Sequence, residues 1–177
     1  MRQKRIKSFL IFAAAAILLI ILDQWTKSLA EISLKGLSSS VPVIPGIFEL
    51  VYVENRGAAF GILQNQMLIF YIVTPLVLLA VLYVYLRTPL TRRFLPLRVI
   101  CILLFAGAVG NLIDRMVQGY VIDFFYFVPI NFPVFNVADC YVTVATVLLF
   151  IFLLFVYKEK DLEFLFFRRR GEGAETD

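Results

Sequence analysis

Three aspartates, Asp114, Asp123 and Asp139, fall within residues 110–139 of a chain that otherwise reads as lipid-soluble, and Asp23 adds a fourth inside an earlier apolar run. An ionised side chain in hydrocarbon costs roughly 2.5 to 3.5 kcal/mol even on insertion scales, so a carboxylate kept there calls for a functional explanation. Two carboxyl groups held close share a proton, because like charges at short range do not both ionise cheaply. Such a pair suits hydrolysis by general acid-base catalysis: the carboxylate takes a proton from water, which attacks a carbonyl carbon, and the protonated partner hydrogen-bonds the carbonyl oxygen. Neither a metal, a cofactor nor a covalent intermediate is needed. Lys27 and Arg115 can balance the negative charge or hold substrate, and Asn55, Asn111 and Asn136 supply neutral amides that orient carboxylates.

Other chemistries lack their groups. The chain has no histidine and only two cysteines, Cys101 and Cys140. Ser-His-Asp, Cys-His and HExxH catalysis are therefore excluded, and two thiols are too few for a cysteine metal site. Blander readings of the same residues stand beside the catalytic one. Asp23 and Lys27, four apart, fit an interfacial ion pair of little energetic weight when exposed. Asp114-Arg115 fits a buried salt bridge better than direct catalysis. Residues 55–60 fit a turn leading into a helix. Asp139 fits a charge at a helix N-terminus.

The elements that must position these groups follow from hydropathy. With 61% hydrophobic residues, 17% charged residues and mean hydropathy +0.87, the 177-residue chain is too apolar for an ordinary soluble domain. We expect one integral membrane domain with spans near residues 9–29, 67–86, 97–115 and 138–157. The basic start and apolar run at residues 2–22 also resemble a cleaved secretory signal, but three more spans follow and Asp23, Gln24 and Lys27 favour a retained helix. Residues 67–86 are uncharged and long enough to cross about 30 Å of hydrocarbon, with Pro75 tolerated. Ala106, Gly107, Ala108 and Gly110 would let another helix approach the third span closely. Residues 31–66, punctuated by Pro42, Pro45 and Gly46, read as a small β-rich element with a strand near 48–53. Residues 116–136 read as an aromatic interfacial segment. In the tail, residues 158–177, Phe164 to Arg170 read as a surface segment and the last seven residues as disordered.

All of the 17 Lys and Arg residues except Lys27, Lys35, Arg56 and Arg115 fall at the N-terminus, in residues 87–98, or in the tail. By the positive-inside rule both termini and the middle connection are cytoplasmic. The spans then bring all four aspartates toward the external membrane surface. Basic residues that flank apolar spans do not form a nucleic-acid groove, so no nucleic acid is expected as a partner.

Five blocks resemble a known family in order and spacing: Asp23-Gln24 with Lys27, Asn55-x-Gly57-Ala58-Ala59-Phe60, Gly110-Asn111-x-x-Asp114-Arg115, Val121-x-Asp123-Phe124 and Phe135-Asn136-x-Ala138-Asp139. They are similar to those of lipoprotein signal peptidase, or signal peptidase II, over about residues 9–157. The resemblance implies an aspartic endopeptidase of the bacterial inner membrane. Its substrates would be diacylglyceryl-modified prolipoproteins, cleaved on the N-terminal side of the lipidated cysteine by an enzyme expected to act as a monomer among membrane lipids. Carried over by motif, Asp123 and Asp139 are the catalytic pair. Asp23, Lys27, Asn55, Gly57, Asn111, Asp114, Arg115 and Asn136 support the site or bind substrate. The implied fold is an α-helical membrane protein of four transmembrane helices, with a β-rich cradle and a short external helix within residues 119–135. One departure is Cys140, where the family often has serine, expected to be tolerated. A proton- or cation-coupled transporter would spread its acids through the membrane depth, and a noncatalytic assembly factor would use the Ala/Gly face; neither accounts for five ordered blocks.

Overall fold

The computed structural model describes residues 2–57 and 66–165. Among these, four helices are long and apolar enough to cross a membrane: α1 (Arg2–Leu34), α2 (Met67–Arg87), α3 (Leu95–Gln118) and α4 (Val137–Ile151), which continues as a π-helical turn to Val156. Pro75 lies within α2. Most large side chains of the helices face outward, as in a bundle whose solvent is lipid; Leu76, Leu79, Leu154 and Phe155 are all exposed.

Helix α3 packs against α1, α2 and α4. Its Ala/Gly stretch explains the closeness of α4. A Cβ on Gly107 would meet the Ala138 carbonyl oxygen at 2.6 Å, and one on Gly110 would meet Asp23 Oδ2 at 2.5 Å. The missing side chains thus let the backbones approach and leave room for a carboxylate.

A three-stranded antiparallel sheet, in the order β1-β2-β3, covers one end of the bundle: β1 (Val41–Ile44), β2 (Phe48–Asn55) and β3 (Val121–Phe127). Pro42 sits on the edge strand β1, where its missing N–H costs no ladder bond. Ala30 and Leu34 of α1 pack beneath Ile122 and Phe124 of β3. The strand expected near residues 48–53 is β2. The second interfacial segment differs from expectation. Its residues 121–127 are strand, and the short helix expected there is a single 3-10 turn, Val128–Ile130. The run VIDFFYF is β-branched and aromatic, and β2 offers it a free edge to pair with, whereas Pro129 and Pro133 leave little room for a longer helix.

At the opposite end, Phe94, Leu97 and Tyr157 form a small core with Phe164 against it. Phe164 was expected at a lipid surface; its ring instead meets Phe94 edge-on at 5.4 Å, and Arg93 pairs with Asp161 at 2.7 Å, holding Asp161 below the usual carboxylate range. Residues 166–170 of the expected surface segment, and the residues after it, lie outside the described residues, as do Ala58, Ala59 and Phe60 of the second sequence block. Cys101 and Cys140 are free thiols.

Candidate active site

The aspartates occupy two adjoining clusters where the helices meet the sheet. The first is an ion cluster. Asp23 and Lys27, one turn apart on α1, point into α3, where Lys27 Nζ lies 2.9 Å from both Asp23 Oδ2 and Asp114 Oδ2. All three side chains are buried, with Asp23 fully inaccessible. The exposed pair that spacing four permits is therefore replaced by a buried one, and the partner of Asp114 is Lys27, not Arg115. Adjacent helical residues point about 100° apart, so Asp114 and Arg115 leave α3 in different directions. The other valences are filled: Asp23 Oδ1 accepts from the Ala138 amide at 2.9 Å, Asp114 Oδ2 accepts from the Ile122 amide at 3.2 Å, and Gln24 Nε2 donates to Asp114 Oδ1 at 2.8 Å. The cluster thereby ties α1 to α3, α4 and β3.

The second cluster holds Asp123 and Asp139. Asp123 lies on β3 opposite Val53 of β2, and Asn55, two residues along β2, donates from Nδ2 to Asp123 Oδ2 at 2.8 Å. Asp139 lies in the first turn of α4. Asn136 is the N-cap: its Oδ1 accepts from the Asp139 amide at 2.9 Å, and Asp139 Oδ2 accepts from the Asn136 amide at 3.2 Å. This reciprocal capping box satisfies two helix-end donors and fixes the Asp139 carboxylate at the same time.

Fifteen residues, two of them prolines, separate Asp123 from Asp139 in sequence. A backbone bridge closes that interval. The Phe125 amide donates to Phe135 O at 2.8 Å, and the Phe135 amide donates back to Phe125 O at 3.0 Å. Asn136 is thus brought under β3, where its Nδ2 donates to Asp123 Oδ1 at 2.6 Å while its own backbone holds Asp139. Asn111 joins the two clusters: Lys27 Nζ donates to Asn111 Oδ1 at 2.8 Å, and Asn111 Nδ2 donates to Asp139 Oδ1 at 2.8 Å.

Both aspartates line a cavity of about 980 Å³ between the sheet and the helices, together with Asn55, Gly57, Asn111 and Arg115. Its walls are mainly apolar and aromatic, with Phe70, Phe132 and Phe135 among them. Asp123 is almost wholly buried. Burial first, and the Asp139 charge second, push the Asp123 carboxyl up to about 7, against the lowering effect of the Asn55 and Asn136 donors. A carboxyl that holds its proton near neutrality beside a second carboxyl in one cavity meets the requirement for acid-base hydrolysis of a carbonyl.

Asp23, Lys27, Asp114 and Gln24 stand behind this cavity as the ion cluster, whereas Asn55, Gly57, Asn111, Arg115, Asn136 and the two remaining aspartates meet at it or directly beneath it. Cys140 lies on the wall next to Asp139. Sequence reasoning did not single out Phe70 or Tyr71. The Phe70 ring centroid is 4.1 Å from the Arg115 guanidinium, and Tyr71 Oη donates to the Arg115 carbonyl at 2.7 Å. In an apolar span neither residue carries a pattern that would set it apart.

Comparison with known proteins agrees with this architecture. A family model described as signal peptidase (SPase) II matches residues 15–155. The chain is 47% identical to the lipoprotein signal peptidase of Clostridioides difficile (strain 630) over 146 residues, covering 82% of this chain and 96% of that one. It is 44% identical to the lipoprotein signal peptidase of Streptococcus thermophilus (strain CNRZ 1066) over 149 residues, covering 83% and 92%. Among solved structures, a bacterial membrane enzyme determined by the in meso method at 2.3 Å resolution superposes with a TM-score of 0.72 at 36% identity, covering 81% of this chain and 87% of that chain. A second, at 1.9 Å resolution, gives 0.71 at 35% identity, covering 83% and 94%.

Proposed function

This chain belongs to the signal peptidase II family, a family of membrane peptidases that process prolipoproteins, and from that premise we propose that it is an aspartic endopeptidase in which Asp123 and Asp139 activate water. The observation that carries the reading is the junction of two carboxyl groups, distant in sequence, at one apolar cavity through Asn136. Asp139, accepting hydrogen bonds from Asn111 and the Asn136 amide, is the ionised base. Asp123, whose proton is retained to about pH 7 by burial and the neighbouring charge, is the acid.

In the first step Asp139 takes a proton from water as the water oxygen bonds to the scissile carbonyl carbon, and Asp123 gives its proton to the carbonyl oxygen. The tetrahedral diol then collapses: Asp123 recovers a hydroxyl proton, Asp139 gives its proton to the leaving nitrogen, and the C–N bond breaks. Both carboxyl groups end in their starting states. The substrate is a diacylglyceryl-modified prolipoprotein, cut on the N-terminal side of the lipidated cysteine. A lipid-anchored cysteine and a signal helix are both confined to the bilayer, which reduces the orientational cost of bringing the scissile bond to a cavity at the membrane boundary.

The distribution of basic residues supports a bacterial cytoplasmic membrane location with both termini inside and the site near the outer face. We take the chain as one integral membrane unit acting as a monomer. The test is incubation of the purified protein with a diacylglyceryl-modified prolipoprotein and its unlipidated counterpart. The lipidated substrate is expected to be cut. Asp123→Asn and Asp139→Asn should each abolish cleavage while the protein stays inserted; normal processing by either variant would remove that residue from the dyad.

A further inference from the structure

Arg115 presents an electrostatic puzzle. Its side chain is 9% exposed and faces the charges of Asp139, Asp123 and Asp114, yet it forms no ion pair with a carboxylate among the described residues. Its Nη1 donates to Asn111 O at 3.2 Å and its Nη2 to Gly57 O at 3.0 Å, while Nε is buried without a hydrogen-bond partner among the described residues. A guanidinium near carboxylates in a low-dielectric site would ordinarily turn to pair with one. Two carbonyls alone are weak competitors for it.

The remaining restraint comes from α2. The half-buried Phe70 ring lies with its centroid 4.1 Å from the guanidinium carbon, well within the range for cation-π attraction. The next residue, Tyr71, donates to the Arg115 carbonyl at 2.7 Å, fixing the same stretch of α3 backbone relative to α2. One side chain holds the head group and its neighbour holds the main chain. Phe70 and Arg115 also line the same cavity as the two aspartates.

Resting on the functional reading above, we propose that Phe70 is a positioning residue for Arg115: its ring holds the guanidinium where Nε can donate to a carbonyl oxygen of the bound substrate. The buried donor, unpartnered among the described residues, is the part of this arrangement that a bound ligand would complete. A contact made to the substrate away from the reacting atoms acts on the bound ground state and transition state alike, so its loss appears in KM and leaves kcat nearly unchanged.

The experiment replaces Phe70 with phenylalanines carrying one, two and three ring fluorines, alongside Phe70→Tyr and Phe70→Leu, in the full-length enzyme acting on a diacylglyceryl-modified prolipoprotein. Fluorination drains the negative ring face with little change in ring size. KM is expected to rise stepwise with fluorine number, to about tenfold for Phe70→Leu, with kcat within about threefold of wild type and Phe70→Tyr close to wild type. A ring that serves only as packing gives a flat fluorine series, and that result, with wild type active, overturns the inference alone. A rise in KM for Phe70→Leu without gradation through the fluorinated set overturns it too. Failure of the wild-type enzyme to cut the lipidated substrate overturns the functional reading, and the inference with it.

Discussion

Asp123 owes its chemistry to opposing environmental effects. Burial and Asp139 raise its carboxyl to about 7, while the amides of Asn55 and Asn136 favour the charged form. In the proposed mechanism Asp123 must hold the proton it gives, as it does below about pH 7; above it the carbonyl oxygen would lose its donor. The pH-rate profile is therefore expected to fall on the alkaline side with an apparent pKa near 7 that belongs to the coupled pair. Asn55→Ala removes a donor that stabilises the ionised form, so the alkaline limb should move to higher pH; a shift to lower pH in a steady-state profile would contradict this account. Lys27 is the other decisive residue, as the cation between Asp23 and Asp114. Lys27→Met would leave two buried carboxylates facing each other, and breaking a buried pair in this way costs about 3 to 5 kcal/mol. A large drop in thermal midpoint in detergent is the expected result.

At the scale of elements, the site depends on how closely α3 can approach its neighbours. Gly110→Ala would direct a methyl group at Asp23 Oδ2, and Gly107→Ala would direct one at the Ala138 carbonyl. Such overpacking costs about 1 to 3 kcal/mol. We expect Gly110→Ala to lower activity more than its stability loss explains, because Asp23 also anchors the start of α4 through the Ala138 amide. Activity measured at a temperature where both glycine variants are fully folded separates the two effects. The short sheet has a comparable role. The Phe125-Phe135 bridge is what returns the chain to α4 with Asn136 beneath Asp123, so a strand, not a helix, closes the site.

For the whole molecule, basic residues gather at the helix ends remote from the sheet, with Arg5, Arg87, Arg93 and Arg98 among them. This separation predicts that single cysteines introduced at Arg92 and at Leu37, in an otherwise cysteine-free background, react with a membrane-impermeant maleimide from opposite sides of the membrane. Labelling of both from the same side of intact cells would refute the topology. Arg93 and Asp161, with Phe94 between Tyr157 and Phe164, gather the ends of α3 and α4 at that pole.

The sequence by itself determined the apolar, four-helix character of the chain, because hydropathy over twenty residues is a local property that lipid solvation enforces directly. It also marked the polar residues gathered near the cavity, since a carboxylate or amide in such surroundings is conspicuous by type alone. Tertiary structure decided which of them meet. Asp114 turned to Lys27 instead of Arg115, the Asp23-Lys27 pair became buried, and residues 121–127 of the second interfacial segment became a strand. Those outcomes depend on which partner packing leaves available. Phe70 and Tyr71 were invisible in sequence for the same reason: an aromatic residue in an apolar span becomes particular only when a buried guanidinium is brought to its face.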